Sequence, residues 1–268
     1  MTGRIAGIFG TLALACALAI GLAGPGTRFG VWDWSFGLKL IRWVASPETI
    51  PGVPAPPLLL AAGLALISGV AALATKRVRA GGLALLAALA AGGAMTVPLK
   101  MRAAVAANPF IHDVTTDLDN PPAIIAGAAL PRVNPPDYRG ADAVPQSTEG
   151  LSVAEAQKKA FPDIVPITTG DDLETARSRV KAVLAAMKME VLAEGPGGGQ
   201  PGAGWRIEAV STSAWFGFKD DFIVRLTPLP EGGTRIDLRS KSRVGGSDLG
   251  ANARRVRDFT ARFNAAAG

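Results

Sequence analysis

The chain has 268 residues, enough for a membrane anchor and one compact domain. Apolar residues make up 49% and charged ones 19%, a low charged share for a wholly soluble protein. The net charge of +6 is unevenly placed: residues 1–107 carry 9 Lys/Arg against 2 Asp/Glu, and residues 108–268 carry 19 against 20. Basicity confined to the flanks of apolar runs sets membrane orientation and argues against a nucleic-acid partner.

Cys16, the one cysteine, falls inside the first apolar run, so no intrachain disulfide and no cysteine metal site is available. His112 is the one histidine, which rules out a multi-histidine metal site. No cofactor is expected.

Three uncharged runs come first: Ile5–Gly24, Leu58–Thr75 and Ala80–Leu99. Each approaches or reaches the roughly 20 residues a helix needs to cross the hydrocarbon core. The first, preceded by Arg4 and ending in small residues, also fits a signal peptide. Lys76, Arg77 and Arg79 crowd the short turn between the second and third runs, and short positive loops stay cytoplasmic. The expected topology is multi-pass in a bacterial inner (plasma) membrane, with the N-terminus cytoplasmic and everything after Leu99 on the periplasmic side. Lys100 and Arg102 oppose it with two charges against three.

Between the first two runs, residues 31–45 carry Trp32, Trp34, Phe36 and Trp43 among aliphatic residues. Trp34, Leu38, Ile41 and Ala45 share a helical face, which suits a short interfacial helix, a re-entrant piece or a buried segment. Pro51, Pro54, Pro56 and Pro57 stiffen the approach to the second span. Gly63, Gly69, Gly81, Gly82, Gly92 and Gly93 either let helices approach closely or simply reflect an alanine- and glycine-rich composition. No Asp, Glu, His, Lys or Arg lies within a span, so the spans read as an anchor rather than a conduction path.

Residues 100–108 then form a short tether of at most ~30 Å if extended, which would hold the domain near the membrane surface. The fold class expected is α+β: three transmembrane helices in residues 1–107, then a two-layer soluble domain over 108–268. Asn108–Gly150 is rich in proline and should wrap over that domain as extended segments and turns. Ser152 with Glu155 fits a capping box for a helix ending near Phe161, and Asp171 with Glu174 opens a second. Leu173, Ala176, Val180, Val183, Leu184 and Met187 form the apolar stripe of that second helix.

Four antiparallel strands are expected: 189–193, 205–210, 221–227 and 234–243. A Gly- and Pro-rich loop, Gly195–Gly204, separates the first two. In the last strand Ile236, Leu238 and Ser240 alternate with Arg235, Asp237, Arg239 and Lys241. One side of the sheet should therefore be solvated or bind something. Ser247 or Asp248 caps a final helix with Leu249, Ala253, Val256, Phe259 and Phe263 inward.

Two polar clusters are candidate sites. In Asn108–Pro122, His112 beside Asp113 could form a base with its orienting carboxylate, and Asp117 with Asp119 could hold a hard cation. The calcium-loop pattern fails, since Asn120-Pro121-Pro122 replaces the turn glycine, and no Gly-x-Ser-x-Gly elbow supplies a nucleophile. The structural reading is that these side chains cap turns. In Arg239–Asn252, basic residues lead through Gly245 and Gly246 into a helix N-terminus, which favours an anion near Arg239, Arg243 and Asn252. Asp248 supports an ordinary cap instead. Asp220 and Asp221 could pair across the sheet with Arg239 or Arg243.

The stretches His112–Pro122, Phe218-Lys-Asp-Asp-Phe-Ile and Arg239–Arg255 resemble the uncharacterised family called domain of unknown function (DUF) 1499. The resemblance covers most of residues 108–265, and the shared motifs Ile-His-Asp-x-x-Thr-Asp-x-Asp-x-Pro-Pro and Arg-Ser-x-Ser-Arg-x-Gly-x-x-Asp-x-Gly-x-Asn make it specific. The resemblance implies a common bacterial arrangement, three spans before the domain, and carries no established activity. The leading expectation is a tethered binding or accessory domain acting on an envelope component, an anionic membrane lipid or a membrane-protein partner. The alternatives are a hydrolase-like enzyme using His112 and Asp113, and a structural subunit of a membrane complex.

Overall fold

A computed structural model of the protein describes residues 1–145, 147, 149–197 and 204–265. The chain divides into two compact units, Met1–Ala103 with Ala214–Gly217, and Ala104–Ser213 with Phe218–Gly268.

In the first unit, helices α1 (Thr2–Arg28), α2 (Trp34–Ala45), α3 (Pro57–Ala74) and α4 (Val78–Ala94) lead into α5 (Thr96–Ala107). Three helical stretches are long and apolar enough to cross a membrane: Thr2–Arg28, Pro57–Ala74 and the 30-residue run Val78–Ala107. The protein is accordingly a membrane protein. Within the short tether expected over residues 100–108, residues 100–107 are helical and belong to α5. Pro98 accounts for the junction at Met95: it has no N–H to offer the carbonyl four residues back, and its ring crowds that carbonyl.

Helix α2 buries Gly37, Ile41 and Ala45 along the face anticipated for Trp34, Leu38, Ile41 and Ala45, and leaves Trp43 68% exposed. Its start is fixed by Asp33, whose carboxylate accepts the amides of Ser35 and Phe36. Ala214–Gly217 joins this unit through Trp215, whose indole N–H donates to Gly21 O at 3.4 Å.

Only some of the span glycines act in packing. A Cβ on Gly81 would lie 2.8 Å from Gly69 O, and one on Gly10 would lie 3.1 Å from Ala84 Cα. Gly63, Gly82, Gly92 and Gly93 have nothing within 4 Å, so composition explains those. Close α3–α4 contact at Gly69 and Gly81 is the small-residue packing that spans use in place of a hydrophobic force.

In the second unit the sheet has six strands, not four, while the α+β class holds. They are β1 (Asp113–Thr115), β2 (Ile167–Thr169), β3 (Glu190–Pro196), β4 (Trp205–Thr212), β5 (Lys219–Pro228) and β6 (Thr234–Ser242). The antiparallel order is β1-β6-β5-β4-β3, with β2 also on β6. The two extra strands are three residues each, too short to show a period of two. β1 pairs with 239–241 and β2 with 234–236, so together they close the outer edge of β6. The Gly195–Gly204 loop lies mostly outside the described residues.

Helix α6 (Val153–Ala160) carries the expected Ser152/Glu155 capping box. For α7 (Leu173–Ala186) the N-cap is Asp172, accepting Thr175 N at 2.8 Å, rather than Asp171, which pairs with Arg179. Helix α8 (Ala251–Ala265) begins after Leu249, which lies in the left-handed region at φ 56° and is not part of the helical stripe. Ala176, Val180 and Leu184 of α7 and Val256, Phe259 and Phe263 of α8 bury against Phe222, Val224, Leu226 and Leu238 of the sheet. Phe222 and Phe259 are in ring contact at 5.4 Å.

Gly81→Val should destabilise the helical unit by about 1–3 kcal/mol through overpacking at a backbone contact, whereas Gly82→Val should change little. Thermal melts of the two variants in detergent check this. Equal losses would mean that α3 and α4 do not meet at Gly69 and Gly81.

Candidate functional site

The alternation along β6 sends Ile236, Leu238 and Ser240 toward the helices and Arg235, Asp237, Arg239 and Lys241 to the opposite face. That opposite face is not solvated, which corrects the expectation for it. Arg239 and Lys241 are 2% and 1% exposed, among the most buried side chains of the protein. The proline-rich segment 116–145 covers them: Arg239 donates to the carbonyls of Pro122 and Pro136, and Lys241 to that of Asp137.

Burying charges is costly unless each one is paired and hydrogen-bonded, so the face must be an ionic lattice. Asp113 accepts both arms of Arg239 at 2.9 and 2.8 Å and Lys241 Nζ at 2.9 Å. Asp221 accepts Arg243 at 2.6 Å and Arg132 at 2.9 Å. Asp237 and Asp117 share Arg225 and Arg235, each pair at 2.9 Å. Glu208, beside Arg206, accepts the amides of Ile125, Ala126 and Gly127 and so holds the covering segment to β4. Asp220, on the helix side, pairs with Arg255 of α8 at 2.6 Å.

The two candidate clusters thus meet, because β1 hydrogen-bonds to β6. Most of their members are spent there. Asp113 does not orient His112; its partners are Arg239 and Lys241. Asp117 forms no cation site with Asp119: one oxygen accepts the amides of Asp119 and Asn120 and the other binds Arg225 and Arg235. Asp119 stands on an exposed turn. Arg239 and Arg243 are locked to carboxylates, so neither is free for an anion. Asp248 takes the amides of Gly250 and Asn252, which fills the helix N-terminus where an anion was expected. Asn252 donates to His112 O and Ser242 Oγ and accepts from Ser240 Oγ.

His112 alone of the candidates keeps a working face. Its Nδ1 lies 3.2 Å from Gly246 O, which makes Nδ1 the protonated nitrogen and leaves Nε2 an acceptor without a protein partner among the described residues. Burial draws its pKa below the ordinary histidine value, so the ring is neutral near pH 7. It lines a cavity of about 260 Å³ with Lys241, Asp113, Asn134, Arg139 and Asp142, walled by Phe110, Ile111 and Pro145. The Arg139–Asp142 pair at the rim is loose, 3.7 Å, with side chains 59% and 57% exposed.

Residues 113–263 match the family described as Protein of unknown function (DUF1499). The chain belongs to the DUF1499 family. No curated protein and no solved structure matches it. The match begins at Asp113, the hub of the ionic lattice, and ends at Phe263, the last aromatic that α8 buries.

The lining of this DUF1499 cavity sets Lys241 and Arg139 against Asp113 and Asp142, and further cations lie behind it. Arg132, Arg239, Lys241 and Arg243 are held by Asp113 and Asp221, four cations on two carboxylates. Lys241 Nζ has three donors and two acceptors, Asp113 and Asp137 O, among the described residues. Burial pulls its pKa down against the attraction of Asp113. The Tyr138 hydroxyl is buried with no partner, and burial together with Asp113 raises its pKa. For Asp113 itself burial would raise the pKa, but Arg239 and Lys241 outweigh it and hold the carboxyl below the usual range.

Sequence reasoning missed Lys241, Asn134, Arg139 and Tyr138 as site residues. Alternation along β6 already puts Lys241 on the face of Arg239, so that signal was present. Nothing local marks Asn134, whose amide donates to Ser242 O and Gly245 O, at 2.9 Å each, across a long loop. Among the described residues no group of three or more metal-ligating side chains converges.

Asp113→Asn should cost about 3–5 kcal/mol, since it strands two buried cations. Hydrogen-exchange protection of β1 and β6 in the full-length chain reads this loss; unchanged protection would mean the lattice does not hold the strands. The folded state keeps His112 neutral, so the unfolded chain binds the extra proton below its ordinary pKa of about 6.5. That stability is present above about pH 6.5 and lost as pH falls through the depressed folded value. The calorimetric melting temperature of wild type should therefore drop more between about pH 7 and pH 5.5 than that of His112→Gln. Parallel drops would contradict the assignment.

Proposed function

We propose that the DUF1499 domain is a membrane-anchored binding domain whose His112–Lys241 cavity takes the acidic group, phosphate or carboxylate, of an envelope component. The observation that carries this is a buried Lys241 with one N–H left over among the described residues, at the wall of a small cavity it shares with neutral His112. A buried cation with a free N–H is costly unless something satisfies it, and an anion does so best. Arg139 at the rim supplies a second, flexible contact. The partner is a membrane lipid or another acidic envelope molecule rather than a nucleic acid, because residues 108–268 have no net basicity to follow a phosphate backbone.

The orientation proposed is N-terminus cytoplasmic and binding domain periplasmic, in the inner membrane. It is supported by Lys76, Arg77 and Arg79 in the short α3–α4 connection, since short basic loops remain on the cytoplasmic side. The hydrolase alternative loses its dyad, as Asp113 is turned to Arg239 and Lys241. Base chemistry by His112 Nε2 stays a second reading because that nitrogen is neutral and unpartnered in the same cavity.

Inorganic phosphate should raise the melting temperature of the full-length protein saturably, beyond chloride at equal ionic strength. Arg139→Gln should weaken that phosphate affinity about tenfold or more, the worth of one charge-assisted contact. Identical shifts for phosphate and chloride in wild type would end the proposal. In a Cys16→Ser background, a cysteine placed at exposed Lys158 should react with a membrane-impermeant maleimide in intact spheroplasts. Labelling only after lysis would reverse the orientation.

A further inference from the structure

A second cavity, about 610 Å³, adjoins the first within the same unit. Its walls are apolar side chains, Val105, Val144, Leu151, Ala156 and Ala160, and it shares Phe110 and Pro145 with the His112 cavity. Its polar members do not convert it into a second charged site. Glu149 and Lys159 neutralise one another at 2.5 Å, and the side chain of Asn108 is bound to Ala104 O. One wall is the last turn of α5, the end of the apolar helical run Val78–Ala107. Val105 there is 52% exposed, an aliphatic side chain left uncovered beside the groove.

We infer that the ligand is an amphiphile with one acidic head and an apolar chain, the head against Lys241 and His112 and the chain along the groove from Phe110 to Val105. This rests on the binding role proposed for the His112 cavity and names the ligand class. The occupant follows from two complementarities that meet at Phe110 and Pro145. The unfilled Lys241 donor on one side of those rings suits an anion, and aliphatic walls on the other suit hydrocarbon. A free phosphate or a small polar acid would use the first cavity and leave the second empty. A protein segment added as a strand would need backbone partners, and among the described residues the groove offers no strand edge, since its structured walls are α5 and α6.

The test compares inorganic phosphate with a short-chain and a long-chain lysophosphatidic acid, each below its micelle concentration, on the full-length protein in amphipol. Affinity should climb with chain length, up to about fourfold per methylene buried. Val105→Asp, at an exposed position that tolerates change, should weaken the long-chain ligand about tenfold or more while phosphate binding stays unchanged. Arg139→Gln should weaken all three. Equal affinity for phosphate and both lipids would overturn the amphiphile and leave the anion cavity standing. Chain-length-dependent binding that neither variant alters would overturn it as mere partitioning. Absence of binding by any probe would overturn both readings together.

Discussion

The soluble half of this protein depends on the burial of β6's charged face. A strand that alternates Ile236, Leu238 and Ser240 with Asp237, Arg239 and Lys241 would ordinarily leave the second set in water. Here both sets are covered, the first by helices and the second by the proline-rich segment. Taking several charges out of water costs several kcal/mol per ion, recovered only when every oxygen and N–H finds a partner. That demand explains the order of much else. β1 exists as three residues because Asp113 must sit opposite Arg239 and Lys241, and the turn at Ile125–Gly127 points three amides at Glu208 for the same reason. A segment with so many prolines lacks donors of its own, which suits it to cover cations. Its carbonyls accept from Arg239 and Lys241.

A lattice of this kind also makes its own exceptions visible. Once Asp113, Asp117, Asp221, Asp237, Glu208 and Asn252 are assigned to partners, few polar groups are left unspent. Among them are the third donor of Lys241, His112 Nε2 and the loosely held Arg139, which line one cavity; the Tyr138 hydroxyl and guanidinium donors of Arg206 and Arg225 are left over elsewhere. The donor left over on buried Lys241, beside a void, is what the proposed anion would satisfy.

The apolar periodicities were legible in the sequence because they are local. Spans, the α2 face, the α7 stripe and the four long strands all repeat within a few residues and follow from hydropathy alone. The Asp113–Thr115 and Ile167–Thr169 strands were not, since three residues carry no pattern and their partners lie far along the chain. The polar motifs stand out in the sequence, whereas the partners of their side chains do not. His112 and Asp113 are neighbours in sequence, yet successive residues of an extended chain face opposite ways, and Asp113 turns to Arg239 and Lys241 instead of forming the dyad. The Asp221–Arg243 pair across adjacent strands was legible, whereas Arg239's carboxylate, Asp113, sits 126 residues away.

The central claim is that Asp113 and Arg239 act as one buried unit across β1 and β6. A double-mutant cycle in the full-length chain tests it most directly, with Asp113→Asn, Arg239→Met and the pair read by hydrogen exchange of β6. The account predicts that the double variant is less destabilised than the two single losses together, by about 0.5–3 kcal/mol of coupling. Losses that simply add would contradict it, because they would mean that the two groups do not depend on one another.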